Sequence, residues 1–373
     1  MSDDDAGVRT TMLRGGTSRG LFFEAADLPA DPAARDDLLL RLMGTPDPRQ
    51  IDGLGGATSL TSKVAVVGPS EHADADVDYL FLQLGVAEPT VSDAQNCGNI
   101  LAGVGPFAIE RGLVAAADPR TDVRIRMVNS DSVAVATVPT PDGRVTYRGD
   151  VVIAGVPGTA AGITLAFTDT EGSATGALLP TGTVRDTVDG VEVTCVDNGM
   201  PVVLALASTF GLTGHETHEE LAADTSLGER IDAFRTKAGA LMGLGDVSGS
   251  SVPKTVLLAP PADGGQVVTR SFIPVAPHTA IGVLAAVSVV TGMLLPGSVG
   301  HDLTAAWPDS SRVDVEHPTG HFLVDVEVDT DVTPPRVVRS GVVRTARKLF
   351  DGTAFPRPVA FGHVSTSPPD STD

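Results

Sequence analysis

A chain of 373 residues is long enough for two domains of ordinary size, and its 42% hydrophobic and 20% charged residues are typical of a folded globular protein. The formal net charge of −21 argues against a nucleic-acid partner, because phosphate binding requires clustered lysine and arginine. A small anionic substrate is compatible with this charge only if basic groups and main-chain N–H groups are concentrated at its site.

The two cysteines, Cys97 and Cys195, form no CxxC pair and no zinc-ligand spacing with the eight histidines. We therefore expect neither a metal site nor a disulfide, and two reduced thiols fit a cytoplasmic protein. The acidic residues 3–5 are the opposite of the basic start of a signal peptide. The apolar run over residues 280–295 is shorter than a membrane span and predicts a buried helix rather than a membrane contact.

Alternating and β-branched stretches predict strands along the whole chain, with Pro141-Asp142-Gly143 as one of the dividing turns. The predicted strands cover residues 8–14, 21–23, 64–67, 77–86, 122–138, 144–154, 191–195, 202–206, 255–258, 267–272, 311–316, 321–328 and 335–344. Helices are expected over residues 31–43, 216–223 and 227–244, and directly after Cys97. A further apolar helix is expected to begin at Pro277-His278-Thr279 and to end near Leu295.

The glycine-rich segment 172–182 has the composition of a hinge between two halves. We therefore expect an N-terminal lobe over residues 1–176 and a C-terminal lobe over residues 177–358, with the last strand free to cross back to the first lobe. Residues 359–373 are rich in serine, proline and aspartate and are expected to be a disordered tail.

The two halves repeat a pattern, which indicates an old duplication. A glycine-containing loop follows a strand in each half, at residues 15–17 and 198–200. A lysine then opens a strand, as Lys63 or Lys254. A small polar loop finally leads into an apolar helix, after Cys97 in the first half and after His278 in the second.

Cys97 lies between small polar residues and an apolar, helix-like run. Its sulfur is therefore expected at a helix N-terminus, where unpaired N–H groups and the helix dipole favour a thiolate that can act as a base or a nucleophile. The alternative is that Cys97 is a small buried hydrophobic residue. Cys195, in the middle of a predicted strand, is expected to be inert core.

Several motifs, in order along nearly all of residues 8–358, resemble the PrpF family of isomerases and tautomerases. The first half carries RGGTSRG at 14–20, DPRQIDG at 47–53, LTSKVA at 60–65 and NCGN at 96–99. The second half carries GALLPTG at 176–182, DNG at 197–199, HTAIGV at 278–283 and RTARK at 344–348. The sequence around residues 272–274 and 278–283 is similar to that of the oxalomesaconate tautomerase branch.

The resemblance implies an α+β fold of the diaminopimelate epimerase type. In that fold two lobes related by a pseudo-twofold axis each wrap a curved sheet around a central helix. It also implies a cofactor-free tautomerase or isomerase that moves a proton and a double bond in a small di- or tricarboxylic acid. The alternatives are an isomerase of aconitate, methylaconitate or methylitaconate, and a catalytically silent carboxylate-binding protein. A homodimer is left open.

By this resemblance Cys97 and Lys63 are the catalytic pair, with the base and the acid left unassigned between them. The chemistry requires a positioned base, an acid and donors that stabilise an enolate. A surface lysine at a strand start is the alternative for Lys63. The two-cysteine racemases of the wider fold carry a thiol at both helix starts, whereas this chain has His278 near the second, which argues against a two-thiol racemase.

Carboxylate groups of the substrate need donors from both halves. The predicted substrate-binding residues are Arg14, Gly16, Thr17, Ser18, Asn96, Gly98 and Asn99 in the first half, with Arg19 as an alternative to Arg14, and Lys254, Arg270, Ser271, His278 and Thr279 in the second. A glycine turn without a ligand is the alternative for the first loop, and a capping or packing role is the alternative for His278.

Overall fold

The computed structural model describes residues 6–94, 96–168, 170–303, 307 and 312–358, so the predicted tail 359–373 lies outside the described residues. The fold is α+β, as predicted. The strands of the first half are β1 (Val8–Gly15), β2 (Ser18–Glu24), β3 (Lys63–Pro69), β4 (Val77–Leu84), β5 (Val91–Ser92), β6 (Arg120–Met127), β7 (Ser132–Pro139) and β8 (Gly162–Phe167). Its α-helices are α1 (Pro32–Met43) and α2 (Gly98–Glu110).

The second half has the same mixture of strands and helices. Its strands are β9 (Asp186–Val188), β10 (Val191–Asp197), β11 (Pro201–Leu206), β12 (Lys254–Ala259), β13 (Val267–Phe272), β14 (Arg312–His317), β15 (Gly320–Asp329) and β16 (Arg336–Ala354). Its α-helices are α3 (His218–Ala223), α4 (Thr225–Leu241) and α5 (Val283–Leu294).

The strands of the first half close into a barrel only with the help of β16, the last strand among the described residues. The order is β1, β2, β3, β4, β6, β7, β8 and β16, and β16 pairs back onto β1. The other side of β16 continues through β15, β14, β13, β12, β11, β10 and β9. One long strand therefore belongs to both halves.

The two halves use the same succession of strand pairings, which confirms the predicted repeat. From β1 to β8 the pairings run antiparallel, parallel, antiparallel, parallel, antiparallel and antiparallel. From β10 to β16 they run in the same order. Lys63 and Lys254 each open the third strand of this series, so the two lysines occupy equivalent places.

The central helices α2 and α5 are apolar on all sides and are surrounded by strands. Residues 100–108 of α2 are buried without exception, as are residues 285–293 of α5. Both helices belong to one continuous hydrophobic core that also includes strands of both halves. The fold class expected from the family resemblance is therefore the observed one.

Four sequence predictions about the elements differ from the structure, two of them only in the extent of a strand. The strand predicted over 144–154 is an irregular segment with one isolated bridge, Val151 to Ala160, and β8 follows it. The strand predicted over 122–138 is the hairpin β6–β7. The strand predicted over 335–344 continues to Ala354. The helix predicted to begin at Pro277 begins at Val283, capped by Gly282, because residues 277–282 form a turn instead.

None of the helices in the described part of the chain is both long and apolar enough to cross a membrane. This applies to α5 as well, which has 12 residues and lies inside the second half.

Candidate active site

Cys97 is the N-cap residue of α2, which confirms that its sulfur lies at a helix N-terminus. The thiol is partly exposed, and it caps no N–H group of the helix. The neighbouring Gly98 has open space where a side chain would lie. The first turn of α2 therefore offers free main-chain N–H groups and a thiol to an approaching anion.

The main chain of Cys97 is held from the barrel wall by Tyr79 of β4. The Tyr79 hydroxyl donates to the carbonyl oxygen of Cys97 over 3.4 Å, and Tyr79 is completely buried. Burial raises the pKa of the Tyr79 hydroxyl well above its usual range, and the nearby Cys97 raises it further. Tyr79 therefore stays a neutral donor that fixes the start of α2.

Lys63 is buried at the start of β3 and points into the barrel. Its side chain is 7% exposed, and Nζ donates to Gln83 Oε1 over 2.6 Å. The ammonium also lies 5.1 Å from the centre of the Phe81 ring. No carboxylate in the described part of the chain forms an ion pair with Lys63. The alternative of a surface lysine is therefore wrong.

The amide of Gln83 has only one orientation that satisfies its neighbours. Its Nε2 donates to the main-chain carbonyls of Ser59, Ser62 and Leu84 at 3.0–3.2 Å. The opposite atom, Oε1, is thereby turned toward Lys63. Sequence reasoning missed Gln83, although its partner position opposite Lys63 follows once β3 and β4 are paired.

Lys63 and Tyr79 project from the same interior face of the first barrel. Gln83 pairs with Lys63, and Tyr79 lies four residues earlier on the same strand, so their side chains share one face. That face looks onto α2, because Tyr79 contacts the Cys97 carbonyl. No hydrogen bond among the described residues joins the thiol directly to the ammonium.

The glycine turn between β1 and β2 touches the first turn of α2. Asn99 Nδ2 donates to Thr17 Oγ1 over 3.0 Å and to Ser18 Oγ over 3.5 Å. Gly16 has a φ of +51°, and a Cβ there would lie 2.1 Å from Asn99 Oδ1. The turn needs glycine for both reasons. The predicted residues Gly16, Thr17, Ser18, Gly98 and Asn99 are thus brought together.

Two predicted substrate-binding residues of the first half, Asn96 and Arg14, form hydrogen bonds outside this cluster. Asn96 donates from Nδ2 to Ser130 Oγ, in the β6–β7 turn, over 2.6 Å. Arg14 follows the core residue Leu13 on β1, so its side chain projects from the opposite, outer face of the strand. Its NH1 donates to the carbonyls of Gly16 and Thr345.

In the second half, Lys254 and Ser271 point toward α5, as their core neighbour Val256 does. The Ser271 hydroxyl is buried without a partner among the described residues. His278 and Thr279 lie in the turn before α5, where the His278 N–H donates to the Ser271 carbonyl over 2.8 Å. Burial and the charge of Lys254 lower the pKa of His278. Cys97 is the N-cap residue of α2, and the N-cap residue of α5 is Gly282. By position at the helix start, Gly282 and not His278 corresponds to Cys97.

Arg270 lies on the other face of β13, toward α3. Its Nε donates to the Glu216 carbonyl over 2.7 Å, and NH1 donates to the Thr269 carbonyl. Burial lowers the pKa of its guanidinium. These bonds hold Arg270 in the wall of the second half rather than beside Lys254 and Ser271.

Two further basic residues were missed by sequence reasoning. His317, at the end of β14, is buried, and burial lowers its pKa to about 4. Arg344 lies on β16 between the residues that pair with β15 and those that pair with β1. It is 8% exposed, its guanidinium stacks 3.9 Å from the Phe322 ring centre, and burial lowers its pKa to about 10.

Cys195 is inert core, as predicted. It is completely buried on β10, and burial raises its pKa to about 12. Within the described ranges there is no group of three or more histidine, cysteine, aspartate or glutamate side chains placed to hold a metal ion.

The family model described as "PrpF protein" matches residues 6–356. The chain belongs to the PrpF family. Two curated PrpF relatives are especially similar. A "(4E)-oxalomesaconate Delta-isomerase" of Novosphingobium sp. is 57% identical over 92% of this chain and 96% of that protein. A "4-oxalomesaconate tautomerase" of Pseudomonas putida is 55% identical over 91% of this chain and 94% of that protein.

More distant PrpF relatives have other names but are also isomerases. A "3-methylitaconate isomerase" of Eubacterium barkeri is 34% identical over 94% of this chain and 98% of that protein. A solved structure of methylitaconate-delta-isomerase superposes with a TM-score of 0.84 at 33% identity, covering 97% of this chain and 100% of the other. This PrpF chain is therefore an isomerase.

Proposed function

We propose that the protein is a cofactor-independent tautomerase or allylic isomerase of a small tricarboxylic acid of the 4-oxalomesaconate type. The observation that carries the proposal is the similarity, over almost the whole chain, to two relatives named for oxalomesaconate isomerisation. The site supports it with a thiol at the N-terminus of α2 and a buried ammonium on the barrel face that looks onto this helix.

In the proposed reaction Cys97 removes a proton from the carbon next to a carbonyl or carboxylate group. The electron pair left behind moves onto the carbonyl oxygen as an enolate, and Lys63 returns a proton at the other end of the conjugated system. Cys97 takes the base role because its partly exposed thiol lies at the N-terminus of α2, where free N–H groups can hold an anionic substrate beside it. Lys63 takes the acid role because its ammonium is held by an uncharged amide and not by a carboxylate.

The developing negative charge requires donors that are already in place. In the first half these are the free N–H groups of Gly98 and Asn99 and the hydroxyls of Thr17 and Ser18. From the seam between the halves, Arg344, which forms no ion pair among the described residues, supplies a buried cation for a substrate carboxylate. The second half contributes further hydrogen-bond donors to the substrate, namely Lys254, Ser271, His278 and Thr279.

Proton exchange in D2O tests both the activity and the roles. With 4-oxalomesaconate followed by NMR, the parent protein is expected to interconvert the two tautomers or isomers and to incorporate deuterium. A Lys63→Met variant should still exchange the proton that Cys97 removes but should form little isomer. A Cys97→Ala variant should do neither. The matched control is Lys237→Met, which removes an exposed lysine paired with Asp189.

Other results would contradict the proposal in distinct ways. Exchange in the Cys97→Ala variant at the parent rate would reject Cys97 as the base. Conversion of methylitaconate or 2-methylaconitate without conversion of 4-oxalomesaconate would favour the second candidate function, which the solved methylitaconate isomerase supports. Binding of these acids without any exchange would indicate a silent carboxylate-binding protein. Loss of activity after dialysis against EDTA would reject cofactor independence.

A further inference from the structure

Three arginines stand side by side on the outer face of the first barrel. Arg14 of β1 pairs directly with Arg19 of β2 on one side and with Arg347 of β16 on the other. Direct partners on neighbouring strands share a face and lie about 5 Å apart at Cβ. Like charges in such positions repel each other, so this row costs stability unless something neutralises it.

The protein itself does not neutralise the row. No carboxylate in the described ranges forms an ion pair with Arg14, Arg19 or Arg347, although acidic residues outnumber basic ones, 47 to 26. Arg14 donates only to neutral oxygens, and Arg19 Nε is buried without a hydrogen-bond partner. Burial and the charge of Arg347 lower the pKa of Arg14.

The row forms one wall of a cavity of about 730 Å³. The segment 147–160 forms the opposite wall and adds Arg148, which also has no ion pair among the described residues. Lys348 at the edge is already paired with Glu110 over 3.0 Å. Every lining residue comes from the first half or from the end of β16. No described residue of the range 171–335 lines the cavity, and the residues that it shares with the candidate active site are Thr17 and Ser18.

We propose that this cavity, the arginine-row pocket, is a second anion site that binds a small di- or tricarboxylate without converting it. Three guanidinium groups on three adjacent strands present several forked donors along one line, which suits an anion with carboxylates on neighbouring carbons. The cavity volume fits a small molecule rather than a polymer. The predicted carboxylate clamp of Arg14 thus belongs to this pocket and not to the surface around Cys97.

The arginine-row pocket adjoins the candidate active site through two shared residues. Thr17 and Ser18 line it, and both accept hydrogen bonds from Asn99 in the first turn of α2. The proposal does not depend on the reaction assigned above, because it concerns only binding on the outer face.

Calorimetric titration with tricarballylate tests the proposal, because this saturated tricarboxylate has no double bond to move. The Lys63→Met variant, impaired at the catalytic site, is expected to retain the pocket site. Arg347→Ala in that background should weaken binding about tenfold or more through the lost charge-assisted hydrogen bonds. Arg336→Ala, at the exposed start of the same strand, is the matched control and should leave binding unchanged.

A charge-reversal variant separates a binding effect from a folding defect. Arg347→Glu faces Arg14 across the strands, so it should raise the melting temperature and abolish binding of tricarballylate. Unchanged binding in Arg347→Ala or Arg347→Glu would overturn the site. Inorganic phosphate binding as tightly as tricarballylate would overturn the assignment to carboxylates. Turnover by Arg347→Ala that falls together with binding would overturn the claim that the pocket is separate from catalysis.

Discussion

Lys63 and Gln83 face each other across β3 and β4, and the ammonium of the lysine donates to the amide oxygen of the glutamine over 2.6 Å. The three carbonyls that bind Gln83 Nε2 leave the amide no second orientation. Gln83 therefore positions the Lys63 ammonium without neutralising its charge, and the proposed role of Lys63 as a proton donor requires both properties.

We expect Gln83→Met to lower kcat about tenfold to hundredfold, because the ammonium loses the bond that fixes its position. KM should change less, because the lost hydrogen bond positions Lys63 rather than a substrate carboxylate. Steady-state kinetics measure both constants. Gln266→Met is the matched control, because that glutamine accepts the Asp314 N–H in the second half. Equal losses in the two variants would show a general effect on folding instead.

Tyr79→Phe should destabilise the protein by about 1 kcal/mol, the usual net contribution of one hydrogen bond. The lost bond is the one from the Tyr79 hydroxyl to the Cys97 carbonyl, so kcat should fall as well. Urea denaturation and kinetics measure the two effects. Tyr147→Phe removes a hydroxyl bonded to Glu110 at the other end of α2 and should leave kcat unchanged. A fall in kcat in both variants would contradict a local role for Tyr79.

Iodoacetamide should modify one thiol of the native protein and inactivate it in parallel. Cys97 is partly exposed at a helix N-terminus, whereas Cys195 is completely buried and its pKa is raised to about 12. Mass spectrometry of the intact protein counts the adducts. Cys97→Ala should take up no label until it is unfolded, and Cys195→Ala should react like the parent. Labelling of native Cys97→Ala would contradict the burial of Cys195.

Acidification should destabilise the protein partly through His317. Its folded-state pKa of about 4 lies below the unfolded value of 6.5, so its stabilising contribution is complete above pH 6.5 and is lost as the pH falls toward 4. After allowance for solvent at the ring, we expect about 1 kcal/mol between pH 7 and pH 5. His317→Phe should flatten this part of the curve of unfolding free energy. An unchanged slope would reject the assignment.

Gly16→Ala should destabilise the protein by more than the strain of a left-handed backbone conformation at alanine. The added cost comes from the contact with Asn99 at the start of α2. Both Gly16 and Gly112 have positive φ, but a Cβ at Gly16 meets Asn99 Oδ1, whereas a Cβ at Gly112 meets open space. We therefore expect Gly112→Ala to cost about 1 kcal/mol, and Gly16→Ala to cost more and to raise KM. Denaturation curves and kinetics compare the two. Equal effects would mean that the close approach to Asn99 is unimportant.

The central features of the fold could be predicted from the sequence because they depend on local patterns. The small polar residues around Cys97, followed by an apolar run, predict the N-terminus of α2. The equivalent lysines Lys63 and Lys254 reveal the repeat, since each opens a buried strand. Family motifs supplied the two-lobed architecture, which composition alone does not specify.

Other features depend on contacts that the sequence does not show. The segment 144–154 is rich in valine and predicts a strand, but in the fold it covers the outer face of the barrel as an irregular wall. The turn before α5 is fixed by a hydrogen bond from the His278 N–H back to the Ser271 carbonyl on β13, the preceding strand, and no local pattern reveals this bond. The faces of Arg14 and Arg270 follow from core neighbours on their strands, so their orientation could be determined only after the strands were paired.

Strand β16 is translated after every other described strand, yet it closes the barrel that surrounds α2. While the ribosome is still translating the second half, the first half has two open strand edges, on β1 and on β8. Such edges can pair with other chains, so the nascent protein is most prone to aggregation before residues 346–354 emerge. A premature stop codon shortly before residue 346 would thus leave the beginning of the protein, and not only its end, without a completed fold.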